Sequence, residues 1–111
     1  MRALCVGSAM VDIITIVASR DVERLTMHNA TASYLLLEQG RKIESESIST
    51  HIGGGAVNAA VAMARMDVDV SALIKIGSDA NGAQIIDRLA HEGVDDSLAL
   101  RTSELPTGTA V

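Results

Sequence analysis

Residues 51–66 read HIGGGAVNAAVAMARM. Three consecutive glycines, Gly53, Gly54 and Gly55, end any strand that reaches them. After them, Ala56 to Met66 carries a strong alanine bias and no breaker, which predicts a helix, apolar nearly all round and so largely buried. Before them, Ile48, Thr50 and Ile52 alternate with Ser47, Ser49 and His51, the period of a strand with one dry and one wet face. The stretch is a strand, a glycine break and a helix.

Moving toward the C-terminus, Val68 to Ile76 predicts a strand that ends at Gly77. Asp79 is placed to cap a helix from Ala80 to about His91, with Ile85, Ile86, Leu89 and Ala90 inward and Gly93 as the C-terminal cap. Leu98 to Leu100 and Gly108 to Val111 are short strands around a turn at Pro106. Toward the N-terminus, the apolar run Ala3 to Val6 suits a strand buried on both faces of a parallel sheet. It stops at Gly7-Ser8, and Val11 to Val17 is a second, β-branched strand, reached by a tight bend or a hairpin-like return. In the least regular segment, Asp21 to Leu25 is read as one helical turn, His28 to Thr31 as loop, and Tyr34 to Leu37 as a strand ended by Gln39-Gly40. Together with residues 43–52 these form a small antiparallel flap beside a main sheet. From residue 43 onward strands alternate with helices, which indicates a layered α/β fold.

Composition sets the bounds. With 111 residues the chain holds one small domain. Its apolar residues are aliphatic: sixteen Ala, ten each of Ile, Val and Leu, with Tyr34 the only aromatic. No stacking platform for bases exists, and a net charge of −5 disfavours polyanions, so nucleic acid is not an expected partner. No apolar run reaches membrane-spanning length, and the N-terminus is too short in apolar residues for a secretory signal. Cys5 is the only cysteine, read as a small core residue, so no internal disulfide or cysteine metal cluster forms. These features fit a cytoplasmic protein. Two helices cannot cover both faces of a sheet of four or more strands, and the sequence stops inside an apolar strand pattern. The expectation is the first part of a longer protein.

The glycine junction is the strongest chemical feature. Exposed backbone N–H groups and the positive end of a helix suit an oxygen-rich ligand, either phosphate or polyol. A Walker loop would need Gly-Lys followed by Ser or Thr, and the only lysines, Lys42 and Lys75, lie elsewhere. A dinucleotide fingerprint would need glycine at Asn58. The plainer alternative is a loop that simply feeds a helix. Asn58, in the first turn, is read as a buried amide that needs partners: it either satisfies the glycine loop or offers donor and acceptor to sugar hydroxyls. Asp12 interrupts an apolar run, as a turn-stabilising carboxylate or as a ligand contact, since Asp12 and the glycine loop each sit at an edge of a predicted strand. His28, His51 and His91 lack metal-ligand spacing; Asp67 and Asp69 read as solvated; Met10, Met27, Met63 and Met66 read as core filler; and Glu44 and Glu46 belong to a wet strand face.

Taken together, VGSAMVDI, HIGGGAVNAAVAMAR with Gly77 beyond it, IGSDANGAQIIDRLAHEGVD and PTGTAV resemble the N-terminal part of the PfkB, or ribokinase-like, carbohydrate kinase family. The resemblance implies a three-layer α/β/α fold with a small β lid, of which residues 1–111 are an N-terminal part and residues 15–52 include the lid strands. It implies phosphoryl transfer from ATP, with Mg²⁺, to a hydroxyl of a sugar or nucleoside. Asp12 and Asn58 would hold hydroxyls; Gly53, Gly54 and Gly55 would let backbone and sugar approach closely. Subunits would pair through the lid strands. Asp67 departs from the Gly or Ser usual in the first family signature, at a turn that Asp tolerates. Met10 stands where ribokinases proper carry a polar sugar contact and Gly55 where they carry Lys, which speaks against ribose. The second signature, with the catalytic Asp and the anion hole, is not among these residues. No catalytic or metal-binding residue is therefore assigned here, and the chain alone is expected to be inactive. Two other readings stand beside the kinase: a non-catalytic polyol-binding fragment, and an α/β domain that binds a nucleotide through the glycine loop.

Overall fold

The computed structural model describes residues 1–25, 28–29 and 34–111. In chain order the elements are β1 (Arg2–Val6), β2 (Met10–Val17), a 3₁₀ turn (Ser19–Asp21), β3 (Glu23–Leu25), β4 (Tyr34–Leu36), β5 (Ser45–Gly53), α1 (Gly55–Ala64), β6 (Asp69–Leu73), β7 (Lys75–Gly77), α2 (Ala80–His91), β8 (Leu100–Thr102) and β9 (Gly108–Ala110). The chain divides into two units, residues 1–13 with 50–111, and residues 14–49.

In the first unit β1 pairs with β6, β2 with β9, and β7 with β8, each in parallel. β2 lies between β5 and β9. This is the pattern of crossover connections through helices. The hairpin-like return expected between β1 and β2 does not form, because each strand takes a different partner. The run Val68 to Ile76 is not one strand. It divides at Ile74, whose carbonyl accepts from the Leu100 N–H at 2.8 Å, so that β6 pairs with β1 and β7 with β8.

One aliphatic cluster fills this unit. Cys5, Val11, Ala56, Val57, Ala60, Val70, Ala72, Ile74, Ile76, Ile85, Leu89 and Val94 are all buried in it. The alanines of α1 allow the helix to pack closely on β1 and β6, where Ala60 and Ala72 are completely buried. Each buried Val, Ile or Leu contributes on the order of 1.5–3 kcal/mol, so no aromatic residue is required. Burial is more one-sided than the sequence suggests. In α1 only Ala56, Val57 and Ala60 are buried, and Met66 is exposed rather than core filler. In α2 Gly82, Ile85 and Leu89 are buried and Ile86 packs against the cluster, while Ala90 is exposed. β1 is covered on its Cys5 side alone: Leu4 and Val6 are 55% and 65% exposed.

Helix ends are set by local chemistry. Past α2, Gly93 takes φ +75°, its N–H donates to the Ala90 carbonyl at 3.1 Å, and the Val94 N–H donates to Leu89 at 2.9 Å. That is a Schellman cap. α1 closes the same way with Asp67 at φ +59°: Asp67 N–H donates to Ala64 at 3.0 Å and Val68 N–H to Met63 at 3.1 Å. The C-terminal ends of the two helices are joined by Arg65, which donates to both Glu92 oxygens at 2.8 and 2.6 Å, with Arg88 at 2.9 Å. The Arg65 guanidinium hydrogen bonds hold the Glu92 carboxyl below its ordinary value. At its N-terminus α2 is capped by Asp79, whose Oδ1 accepts from the Gly82 N–H at 2.8 Å. The Thr107 hydroxyl and backbone N–H also donate to Asp79, at 2.6 and 2.8 Å, and the hydroxyl bond is the main reason that this carboxyl lies below the ordinary carboxylate range.

In the second unit β3 and β4 form an antiparallel pair with Glu23 opposite Leu36. The helical turn expected at Asp21 to Leu25 is instead a 3₁₀ turn at Ser19–Asp21 followed by strand. His28 and Asn29 lie in a turn, as expected of a loop; Met27, Ala30 and Thr31 lie outside the described residues. The face of β5 read as dry is not dry, since Ile48 is 64% exposed. Alternation reports which residues share a face, not whether anything covers it.

Two outcomes follow from the caps. Replacing Asp67 by Gly relieves the left-handed conformation and should raise stability by about 0.5–1 kcal/mol, whereas Asp67→Val should lower it by about 1 kcal/mol or more; urea unfolding measures both. Because the folded-state Asp79 carboxyl lies below its unfolded value, its contribution is complete at neutral pH and is lost as pH falls through the folded value. The stability gap between the unaltered protein and Asp79→Asn should therefore be widest at neutral pH and close below about pH 4, in melting curves taken across that range.

Candidate functional site

The glycine junction is built against the loop that joins β1 to β2. The Gly55 N–H donates to Ser8 Oγ at 3.0 Å and the Ala56 N–H to the Ser8 carbonyl at 3.2 Å. These are the first two N–H groups of α1, and Gly54, which precedes the helix, has no side chain to cap them. Ser8 caps the helix from 47 residues away in sequence. The approach is so close that Gly54 admits no side chain. A Cβ there would collide with the Ser8 carbonyl oxygen and lie 2.7 Å from Cα of Ala9, and φ is +102°.

The same contact brings Asp12 to the glycines. Asp12 is half-buried on β2, and Gly53 is buried at the end of β5. A Cβ on Gly53 would collide with Asp12 Oδ2 and sit 3.2 Å from its Cγ. Asp12 and Gly53 are thus neighbours in space. Gly55 is exposed, and a Cβ there would meet only Ser8 Oγ at 3.9 Å. Asn58 is four residues beyond Gly54, and its backbone N–H makes the first bond of α1, to the Gly54 carbonyl at 2.9 Å. Its side chain is exposed, not buried as expected, so no internal partner is demanded of the amide.

Two consequences for chemistry come from this geometry. The close approaches that require Gly53 and Gly54 are to the chain's own Asp12 and Ser8-Ala9. And two of the N–H groups that a phosphate would use at this helix end are already bonded to Ser8. What remains toward solvent is a half-buried carboxylate beside a glycine and an exposed amide, a set suited to hydroxyl groups. Ser8 was not singled out by sequence as more than part of a turn; the serine directly after a strand-ending glycine was its only signal. Among the described residues no group of three or more His, Cys, Asp or Glu side chains is placed to hold a metal ion. No helix there is long and apolar enough to cross a membrane.

Known proteins resemble this chain in sequence and in fold. The chain is 31% identical over 88 residues to 2-dehydro-3-deoxygluconokinase of Bacillus subtilis (strain 168), a match covering 78% of this chain and 27% of that protein. Among solved structures it resembles fructokinase with bound ATP from Xylella fastidiosa, with TM-score 0.68, 26% identity, and coverage of 97% of this chain and 28% of the other. It also shares its fold with ribokinase from Cryptococcus neoformans var. grubii serotype A in complex with ADP, with TM-score 0.71, 23% identity, and coverage of 97% and 29%. The α/β architecture is therefore ribokinase-like, and the chain spans less than a third of the length of these relatives. Residues 2–111 match the sequence model of the pfkB family carbohydrate kinases, and the chain belongs to that family.

Proposed function

We propose that these residues form the acceptor-binding part of an ATP-dependent kinase that phosphorylates a sugar hydroxyl, with a sugar acid of the 2-dehydro-3-deoxygluconate type as the first candidate. The observation that carries the reading is the seat of Asp12 against Gly53, beside a helix end whose first N–H groups are already taken by Ser8. A carboxylate in that place accepts hydrogen bonds from adjacent hydroxyls, and the exposed Asn58 amide supplies both a donor and an acceptor. The prior engagement of the N–H groups favours a polyol over a nucleotide phosphate at this loop. In the transfer, a bond forms between the sugar oxygen and the γ-phosphorus, the bond from that phosphorus to the bridging oxygen of ADP breaks, and the hydroxyl proton passes to a base. That base, the nucleotide contacts and Mg²⁺ are assigned to the portion of the longer relatives that this chain does not span, so the chain alone transfers nothing. Strands within residues 15–52 serve as the lid, which keeps water from competing as acceptor. The site works in the cytoplasm, where ATP is available.

The lid strands also support pairing of two copies. Ile14 and Ile16, on one side of β2, are 52% and 53% exposed, and Ile48 of β5 is 64% exposed. Apolar strand surface of this kind is matched by its own copy.

Calorimetry on the protein as its gene encodes it, with 2-dehydro-3-deoxygluconate, fructose and ribose, tests the acceptor site. One of them should bind; Asp12→Ala should weaken that binding by about 100-fold and Asn58→Ala by about 10-fold, in line with the loss of hydrogen bonds to a charged and a neutral group. Gly53→Ala should also weaken it, because the displaced neighbour is the mobile carboxylate end of Asp12. Unchanged sugar affinity in Asp12→Ala with a loss of ATP affinity would overturn the assignment. Ile14→Glu with Ile16→Glu should convert a dimer to a monomer in sedimentation; a mass equal to that of the unaltered protein would remove the lid from the interface.

A further inference from the structure

The acceptor reading leaves unexplained the most tightly bonded polar group in the first unit. Thr107, at 4% exposed, is the one buried polar residue among those described. Its hydroxyl donates to Asp79 Oδ1 at 2.6 Å and accepts from the Gly77 N–H at 2.9 Å; its own N–H donates to Asp79 Oδ2 at 2.8 Å. Three segments are packed here without room to spare. A Cβ on Gly77 would lie 2.6 Å from the Thr107 nitrogen, and one on Gly82 would lie 3.0 Å from Thr107 Oγ1. Two residues further along, Thr109 accepts from the Asn81 amide at 3.2 Å, so the start of α2 grips two successive positions on the same side of one strand.

That strand is β9, and Thr107 immediately precedes it. β9 runs parallel to β2 with Met10 opposite Gly108, Val11 opposite Thr109 and Asp12 opposite Ala110. Within residues 1–111, β9 makes its ladder to β2 and has polar anchors at its start. Its position depends on the backbone ladder to β2 and on the polar anchors at its start. β2 in turn is held between β5 and β9. A shift at Thr107 therefore reaches the rung of Asp12 within a few residues. Because side chains alternate along a strand, even a small change of register would turn that rung away from its partner.

We propose that Thr107 and Asp79 are positioning residues for the acceptor site: by locking the start of β9 to the start of α2, they fix the strand against which Asp12 is registered. The inference rests on the reading that Asp12 binds the sugar. Neither residue touches the sugar; each acts through β9. Thr107→Val keeps the shape but removes the hydroxyl, leaving the Gly77 N–H without its partner and Asp79 Oδ1 with the Gly82 N–H alone. Thr107→Ser keeps the hydroxyl.

The test measures sugar and ATP affinity by calorimetry in the protein as its gene encodes it, well below each variant's melting temperature, with whichever of 2-dehydro-3-deoxygluconate, fructose and ribose the unaltered protein binds most tightly. Thr107→Val should weaken sugar binding by about 5-fold or more and leave ATP binding within about 2-fold, and Thr107→Ser should restore both. In the Asp12→Ala background, Thr107→Val should add little, since its effect passes through Asp12. A lowered melting temperature with unchanged sugar affinity, or full additivity with Asp12→Ala, overturns the proposal and leaves the acceptor site standing. If Asp12→Ala alone leaves sugar affinity unchanged, or no sugar binds, the acceptor reading itself falls and the inference with it. Should Thr107→Val not fold, Asp79→Asn, which removes one acceptor and keeps the other, carries the same expectation, and an unchanged sugar affinity there is equally decisive.

Discussion

The capping of α1 by Ser8 is the contact on which the arrangement of this chain depends. A helix that starts at glycine has N–H groups with no local partner, and left unbonded in a packed setting each costs on the order of 1–3 kcal/mol. Here the hydroxyl and the carbonyl of one distant residue take the first two. To do so the β1–β2 loop must lie on the helix end, and then Gly54 has no space for a side chain and Gly53 has Asp12 against it. The glycines, the serine and the aspartate are consequences of one close approach. Each of them looks ordinary when taken alone along the chain.

Much of the fold was legible because its causes are local. The glycine break, the alanine-rich helix, the Asp79 cap and the Gly93 terminus each depend on residues a few positions apart, and each lies where the sequence places it. Asp67 is the sharpest instance: a departure from glycine at a turn was read as tolerable for Asp, and its φ of +59° is that conformation. What sequence did not reveal is what depends on partners. An unbroken apolar run from Val68 to Ile76 gives no sign that β6 and β7 pair with different strands. Alternation in β5 groups Ile48 with Ile52 but does not say that Ile48 stays exposed.

The candidate site divides along the same line. Asp12 and the glycines were found by pattern and by resemblance, and their adjacency is a matter of geometry that the sequence only suggested. Ser8 and Thr107 went unassigned because serine and threonine are common in turns, and a hydroxyl reveals its role only through its partners. Asn58 was read as buried because it sits in an apolar helix. It is exposed because it lies off the side of α1 that packs on the cluster, where Ala56, Val57 and Ala60 are buried and Ala59, Val61, Met63 and Ala64 are partly buried.

The engagement of the first N–H groups of α1 bears on the chemistry. Glycine-rich turns that open helices often bind phosphate, and they do so by keeping N–H groups unpaired and aimed outward. In this chain the groups at that position are spent on holding the loop of Ser8, which leaves a carboxylate as the polar atom pressed against the glycines. A carboxylate repels phosphate and accepts from hydroxyls, so under the proposed reading the same backbone motif is turned from anion binding toward carbohydrate binding by what occupies its donors. The selection is made by Ser8 and Asp12 together, four residues apart on one loop and strand. The seat of Asp12 in turn depends on the strands to either side of β2.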